Sequence, residues 1–360
     1  MNFAKAKNTI VHHTTVVLKV AIAAALLWWL FGTGKFDSSA LLDPATGRFN
    51  FSIWYLCILL VPVSVGLLAY RWQQFLSLQQ IYIGFGASLR LTLISNLFMV
   101  ALPGMVGGDV VKAAYLCRNM NNRRLNVISA TFMDRIMGAY ALFMIGAIAS
   151  VGLWAFPNLI SSEFWEAVVS SRVILIPPLL FAAITLLLAM AMNELLYTRL
   201  ASPLLNRVPM GGHLLRFLDT IYMHRRYPGR LSYLVGLSVL NHLLNIAIFM
   251  CVAMAIDEAL PLLSQFFLNA LAMVGNLVPI TPGGIGLTEG VFHYLYLLAG
   301  SENGATIGLV SRLITYVVFV SSGLVVFILM RSHIEVQPQS ELNSIPSRSA
   351  RGETLSGKEL

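Results

Sequence analysis

Long apolar runs separated by polar segments dominate the chain. They fall at about 14–32, 51–70, 127–155, 172–192, 231–256 and 305–330, and each is near the ~20 residues that cross a bilayer core. Two further apolar stretches are interrupted. One covers 88–108 and breaks at Pro103-Gly104; the other covers 263–299 and breaks at Pro279 and at Pro282-Gly283-Gly284. From 331 onward the chain is rich in Ser, Pro and Glu and reads as a disordered tail. The pattern predicts an all-α, polytopic membrane protein with a membrane domain over 1–330 and a tail over 331–360. It contains about six spans and two broken stretches, each a re-entrant hairpin or, at most, enough to make eight spans.

Basic residues between the runs set the orientation. Lys5 and Lys7, then Arg71 and Arg90, then Lys112, Arg118, Arg123 and Arg124, then the arginines from Arg199 to Arg230, and finally Arg331 fall on alternate sides of the spans. The intervening segments hold more acid: Asp37, Asp43, Glu163, Glu166, Asp257, Glu258 and Glu302. The positive-inside rule puts the basic set, and both termini, in the cytoplasm. By parity the stretch 88–108 then enters and leaves from inside, and 263–299 from outside. Span, hairpin and span occur twice with opposite orientation. Inverted repeats with broken helices near the midplane are a transporter architecture.

The two breaks are alike. The first reads Asn96-Leu97, then Pro103-Gly104-Met105-Val106-Gly107-Gly108-Asp109; the second reads Asn276-Leu277, then Pro282-Gly283-Gly284-Ile285-Gly286-Leu287-Thr288-Glu289. Irregular backbone at membrane depth must be buried in protein or line a water-filled cavity. Glycine permits such a turn and close approach. A helix restarting near Asp109 or Leu287 aims free N–H groups at the break, a seat for a phosphate, with Lys112 one turn on as an added cation. The alternative is that the glycines only allow tight helix packing. Asp109 and Glu289 are placed either to cap the restarting helices or to meet a cation, a proton or a substrate amine. Asp134 and Arg135 begin one span and Arg312 another, at similar points of the two repeats. Ionisable residues there pair, face a cavity or snorkel to the interface. Arginine holds phosphate by paired hydrogen bonds; Arg312 with Glu289 would equally make a structural ion pair.

Composition agrees with a membrane protein: 57% hydrophobic, 11% charged and a mean hydropathy of +0.75, against roughly 25% charged residues in soluble domains. The net charge of +8 is explained by loop arginines, so nucleic acid is not an expected partner. Lys5, Lys7 and the run from Val16 to Phe31 resemble a signal peptide, but the run is long and FGTGKF is not a cleavage site, so a retained first helix is expected. Cys57, Cys117 and Cys251 form no CxxC pair, and His12, His13, His242 and His293 have no metal spacing, so they read as packing or interfacial residues. No Walker phosphate loop or serine nucleophile elbow is found. Neither a cofactor nor a metal is expected, and any driving force would be an ion or lipid gradient. Trp28, Trp29, Trp54 and Trp154 fit interfacial belts.

The segments LPGMVGGDVVKAAYL, MDRIMGAYAL, NLVPITPGGIGLTEG and LVSRLITY, in that order, resemble the transmembrane region of the lysylphosphatidylglycerol synthase family, over roughly 14 to 330. The resemblance implies an inner-membrane protein of bacteria with a flippase-like, lipid-translocating role. In better-understood members a cytosolic domain adds an amino acid to phosphatidylglycerol. This chain ends soon after the last span, so that enzymatic domain, and enzymatic activity with it, are expected to be missing. The motif residues it carries over are Pro103, Gly104, Gly107, Gly108, Asp109, Asp134, Arg135, Pro282, Gly283, Gly284, Gly286, Glu289 and Arg312. The expected partner is a membrane lipid, moved between leaflets. A separately encoded synthase or glycosyltransferase is a candidate partner, as is a second copy in a homo-oligomer. Two other functions stay open: a membrane-embedded transferase using Asp109 or Glu289 as base, and a membrane module lent to a separate synthase.

Overall fold

The apolar runs become helices in the computed structural model, which describes residues 51–101, 107–118, 120, 123–196, 199, 219, 222–277 and 286–329. The expected first span at 14–32, the tail from 331, and Trp28 and Trp29 lie outside the described residues. Among the described residues the structure is helical with no strand. In chain order the helices are α1 (Phe51–Leu78), α2 (Phe85–Ala101), α3 (Gly107–Arg118), α4 (Arg124–Ala155), the short α5 (Ser162–Ser170), α6 (Ile176–Met192), α7 (Pro228–Ala255), α8 (Leu262–Ala272), α9 (Leu287–Leu298) and α10 (Gly304–Leu329). A 3₁₀ turn, Met273–Leu277, extends α8.

Five of these segments, in α1, α4, α6, α7 and α10, are long and apolar enough to cross a bilayer. The others decide what parity left open. At 1.5 Å per residue, α3 and α9 are each about 18 Å long, well short of the ~30 Å core. A return arm of that length does not cross, so α2–α3 and α8–α9 are re-entrant hairpins.

The halves α1–α4 and α7–α10 repeat one packing scheme. α1 packs on α7; α2 packs on α10 as α8 packs on α4; α3 packs on α4 as α9 packs on α10. Contacts between α1 and α7 run antiparallel. Cys57 meets Ile248, Ser64 meets Asn241, and Tyr70 meets Tyr233. The repeat is therefore inverted, as the charge pattern predicted. Glycine seats the α2–α10 contact closely, and its counterpart in α4 faces α8 at ordinary contact distance. A Cβ on Gly146 of α4 would lie 3.5 Å from Ala270 of α8, and one on Gly323 of α10 would lie 2.6 Å from the Leu93 carbonyl of α2. Small residues let helix backbones approach in this way.

Two apolar cores hold the hairpins. Trp72, Phe75 and Leu76 of α1 pack with Leu91, Leu116 and Met133 around the first. Phe267, Phe292, Tyr296 and Ile307 form the center of the other, around the second. The exposed apolar side chains of α6 and α10, such as Leu179, Leu186, Val317 and Phe327, are the surface a bilayer would cover.

Three sequence readings need correction. The second span does not end near residue 70: α1 continues through the polar RWQQFLSL segment, because Arg71 finds a buried acidic partner and Trp72 and Phe75 pack in a core. Arg71 and Lys112 are consequently buried helix residues, at 4% and 2% exposure, and not loop charges. Within the acidic loop before α6, the unforeseen α5 forms from Ser161, whose Oγ accepts from the Phe164 N–H, and from Phe164 and Val168, which bury one face.

A candidate functional site between the repeats

Each hairpin delivers a carboxylate to an arginine. In α3 the backbone comes close against α2: a Cβ on Gly108 would sit 2.1 Å from the Ser95 carbonyl oxygen, so only glycine fits. The tight-packing role is thus real for Gly108. One residue on, Asp109 is buried, with Lys112 Nζ 3.1 Å from Oδ1 and Arg135 Nε donating to Oδ2. In the second hairpin Gly286 has φ of +86°, a conformation that favours glycine, and leads into α9. Its N–H donates to Glu289 Oε2 at 2.6 Å, so Glu289 caps its helix. Glu289 Oε1 also lies 3.1 Å from Arg312 Nε. Asp109 and Glu289 are both the third residue of their helices, and both pair with an arginine of the helix that follows. Capping and ion pairing are combined in Glu289; among the described residues, Asp109 is engaged by the two cations.

The first half has a further pair. Arg71 Nε donates to Asp134 Oδ1 at 2.7 Å, and its other nitrogens donate to Ser238 Oγ at 2.9 Å and to the Asp134 carbonyl at 3.3 Å. Asp134 is 1% exposed and does not snorkel. A buried charge is tolerated when it is both paired and hydrogen-bonded, and here that condition is met.

Between the halves lies a cavity of about 230 Å³. Its polar lining comes from both repeats: Arg71 and Ser64 of α1, Asn96 of α2, Arg135 of α4, Asn241, His242 and Asn245 of α7, and Ser311, Arg312 and Tyr316 of α10. Leu142, Ile248, Phe249 and Phe319 supply apolar walls. Ser64 donates to Asn241 Oδ1 at 2.9 Å and receives from Asn245 Nδ2 at 3.2 Å, which fixes these amides. His242 Nε2 is 2.8 Å from the Gly138 carbonyl. Asn96 Nδ2 and Ser311 Oγ are buried and have no hydrogen-bond partner among the described residues.

Of the residues singled out in the sequence, Arg135 and Arg312 line this cavity. Asp109, Asp134 and Glu289 stand behind the arginines that do. Gly107 and Gly108 open α3, and Gly286 opens α9. Lys112 does not line the cavity; its ammonium lies against Asp109 and 4.7 Å from the center of the Trp72 ring. Pro103, Gly104, Pro282, Gly283 and Gly284 lie outside the described residues. Sequence reasoning passed over Arg71, His242, Asn241, Asn245, Ser64, Asn96, Ser311 and Tyr316 as site residues. A signal existed for α7. Ser238, Asn241, His242 and Asn245 recur at three- and four-residue spacing inside an apolar run, which marks one polar helix face. No cluster with metal-holding composition occurs among the described residues.

Fold and cavity together define a class: an all-α, multi-pass membrane protein with two inverted halves around a polar chamber. The chain belongs to the lysylphosphatidylglycerol synthase TM region family, whose sequence profile matches residues 16–323. This relates it to membrane proteins concerned with lipid. No curated protein and no solved structure shows a significant match to the chain.

Proposed function

We propose that the protein is a lipid translocase, which passes a phosphate-bearing headgroup between leaflets through the chamber between its halves. The observation that carries this reading is that Arg135 and Arg312, one from each inverted repeat, line a single cavity. Arginine is suited to phosphate because its guanidinium presents paired donors. At about 230 Å³ the cavity is below the roughly 300–1,000 Å³ of sites that enclose a drug-sized molecule. That size suits a headgroup whose acyl chains remain in lipid. Asp109 and Glu289, the bases a transferase would need, are each held by cations, which favours recognition over proton abstraction.

In this reading the protein is not an enzyme and sits in the bacterial inner membrane with both termini in the cytoplasm. Arg118, Arg123 and Arg124 near the α3–α4 junction, and Arg225, Arg226 and Arg230 at the start of α7, support that orientation after Arg71 and Lys112 are removed from the count. The test is reconstitution in liposomes with a fluorescent phospholipid and a membrane-impermeant quencher. Wild type should expose inner-leaflet probe quickly, and Arg135→Gln, checked for folding, should slow exchange by about tenfold or more, as for loss of one charge-assisted contact. Exchange no faster than in empty liposomes across several headgroups would reject the translocase. A covalently altered lipid would point to a transferase, and destabilisation of a co-encoded synthase on deletion would point to a partner role.

A further inference from the structure

The charges around the chamber do not balance. Among the described residues, the charged side chains that are buried or line the cavity are Arg71, Lys112, Arg135 and Arg312 on one side and Asp109, Asp134 and Glu289 on the other. Each carboxylate lies against a cation. His242 is counted as neutral, as an ordinary imidazole is for the most part at neutral pH. The hairpin tips, 102–106 and 278–285, contain no ionisable residue. One positive charge is left over.

Geometry says where it sits. Arg71 pairs with Asp134 and Arg312 with Glu289, one to one. Among the described residues, Asp109 is the carboxylate that forms ion pairs with two cations. Lys112 is sealed at 2% exposure, whereas the Arg135 side chain is 40% exposed and lines the cavity. The surplus is therefore presented to the cavity by Arg135. Asn96 Nδ2 and Ser311 Oγ, buried and without a hydrogen-bond partner among the described residues, belong to the same lining. Both can donate to a phosphate oxygen.

We infer that the chamber selects a singly charged phosphodiester with a neutral headgroup. It discriminates against a phosphomonoester, which carries closer to two negative charges at neutral pH, and against a phosphodiester bearing an amine, because no carboxylate among the described residues lines the site to receive the amine. This inference rests on reading the cavity as a headgroup site but concerns binding alone.

The test is a thermal-shift titration of the purified full chain in neutral detergent, with short-chain phosphatidylglycerol, phosphatidylethanolamine and phosphatidic acid, and with dimethyl phosphate as a free phosphodiester. The glycerol lipid should bind best, with the ethanolamine lipid and the phosphatidic acid each at least about tenfold weaker, the factor expected for one unit charge about 12 Å away at an effective dielectric of about 20 and a lower bound for a closer one. Lys112→Met should weaken the glycerol lipid by a similar factor although Lys112 does not line the cavity, and Lys112→Arg should retain binding. Should Lys112→Met not fold, Lys112→Gln cancels the surplus while keeping a polar side chain beside Asp109 and should produce the same loss. Equal binding of the three lipids, or unchanged affinity in the charge-cancelling variants, overturns the inference. Dimethyl phosphate binding as tightly as the glycerol lipid would overturn the lipid as the source of the anion. Selective binding without lipid exchange in liposomes would remove the transport reading and leave this one, and exchange without selectivity would do the reverse.

Discussion

The two halves share a scaffold and differ in their chemistry. Trp72 in α1 and Phe249 in α7 stand at the same position counted from the start of their helices. Each covers a side chain one turn past the hairpin carboxylate: Trp72 faces the Lys112 ammonium, and Phe249 stacks on Phe292 with ring centers 4.7 Å apart. Arg71 corresponds to Ile248 in the same register, and Asp134, directly before Arg135, corresponds to Ser311, directly before Arg312. What both halves keep is the hairpin, its carboxylate–arginine pair and the glycine at the crossed helix contact. What differs is charge: the first half buries an extra ion pair and a lysine where the second uses aliphatic, hydroxyl and aromatic groups. The difference teaches that the repeated features build the frame and bring one arginine from each half to the chamber, and that the unrepeated ones change the charge around it.

The largest effect should come from breaking the charge that the second half lacks. Asp134→Ala leaves the Arg71 guanidinium buried without its carboxylate, which should destabilise the protein by about 3–5 kcal/mol. Installing the second half's residues, Arg71→Ile with Asp134→Ser, removes both charges and should recover most of that loss. Thermal unfolding in detergent of the single and double variants measures it, and a double variant as unstable as the single one would contradict the assignment of the loss to an unpaired charge.

A smaller effect should separate the two glycine contacts. At Gly323 an added Cβ meets backbone, the Leu93 carbonyl at 2.6 Å, and Leu97 Cβ at 2.7 Å. At Gly146 it meets the Pro177 ring at 2.8 Å and Ala270 only at 3.5 Å. Gly323→Ala should therefore sit near the upper end of the ~1–3 kcal/mol range for overpacking, and Gly146→Ala near the lower end. The same unfolding assay orders them, and the reverse order would show that α6 is held more rigidly than the α2 backbone.

Much of this was legible before any coordinates. Hydropathy placed α4, α6, α7 and α10 to within a few residues and missed the last eight residues of α1, and loop arginines with parity gave the inverted order, because bilayer thickness and charge act on composition directly. The helix restarts beside Asp109 and Glu289 could be read from the glycines. Pairing was less accessible. Arg71 looks like the end of a span, since a hydropathy reading prices its charge and cannot see Asp134 far along the chain. Lys112 looks like a phosphate ligand by spacing, yet Trp72 and Asp109 enclose it. His242 and the α7 amides were hidden because a polar residue in an apolar run is informative only once its helix face is known. The hairpin length, which separates re-entrant arms from spans, depended on where α3 and α9 begin and end.

The central claim is that the chamber between the halves is the headgroup path. Ala139 of α4 lines it and takes no part in an ion pair. The most direct measurement is phospholipid exchange in liposomes by wild type and Ala139→Trp, with folding confirmed for both. A translocase that uses this chamber should lose exchange when the indole fills it. Exchange at the wild-type rate in the folded Ala139→Trp protein would contradict the account and move the path outside the chamber.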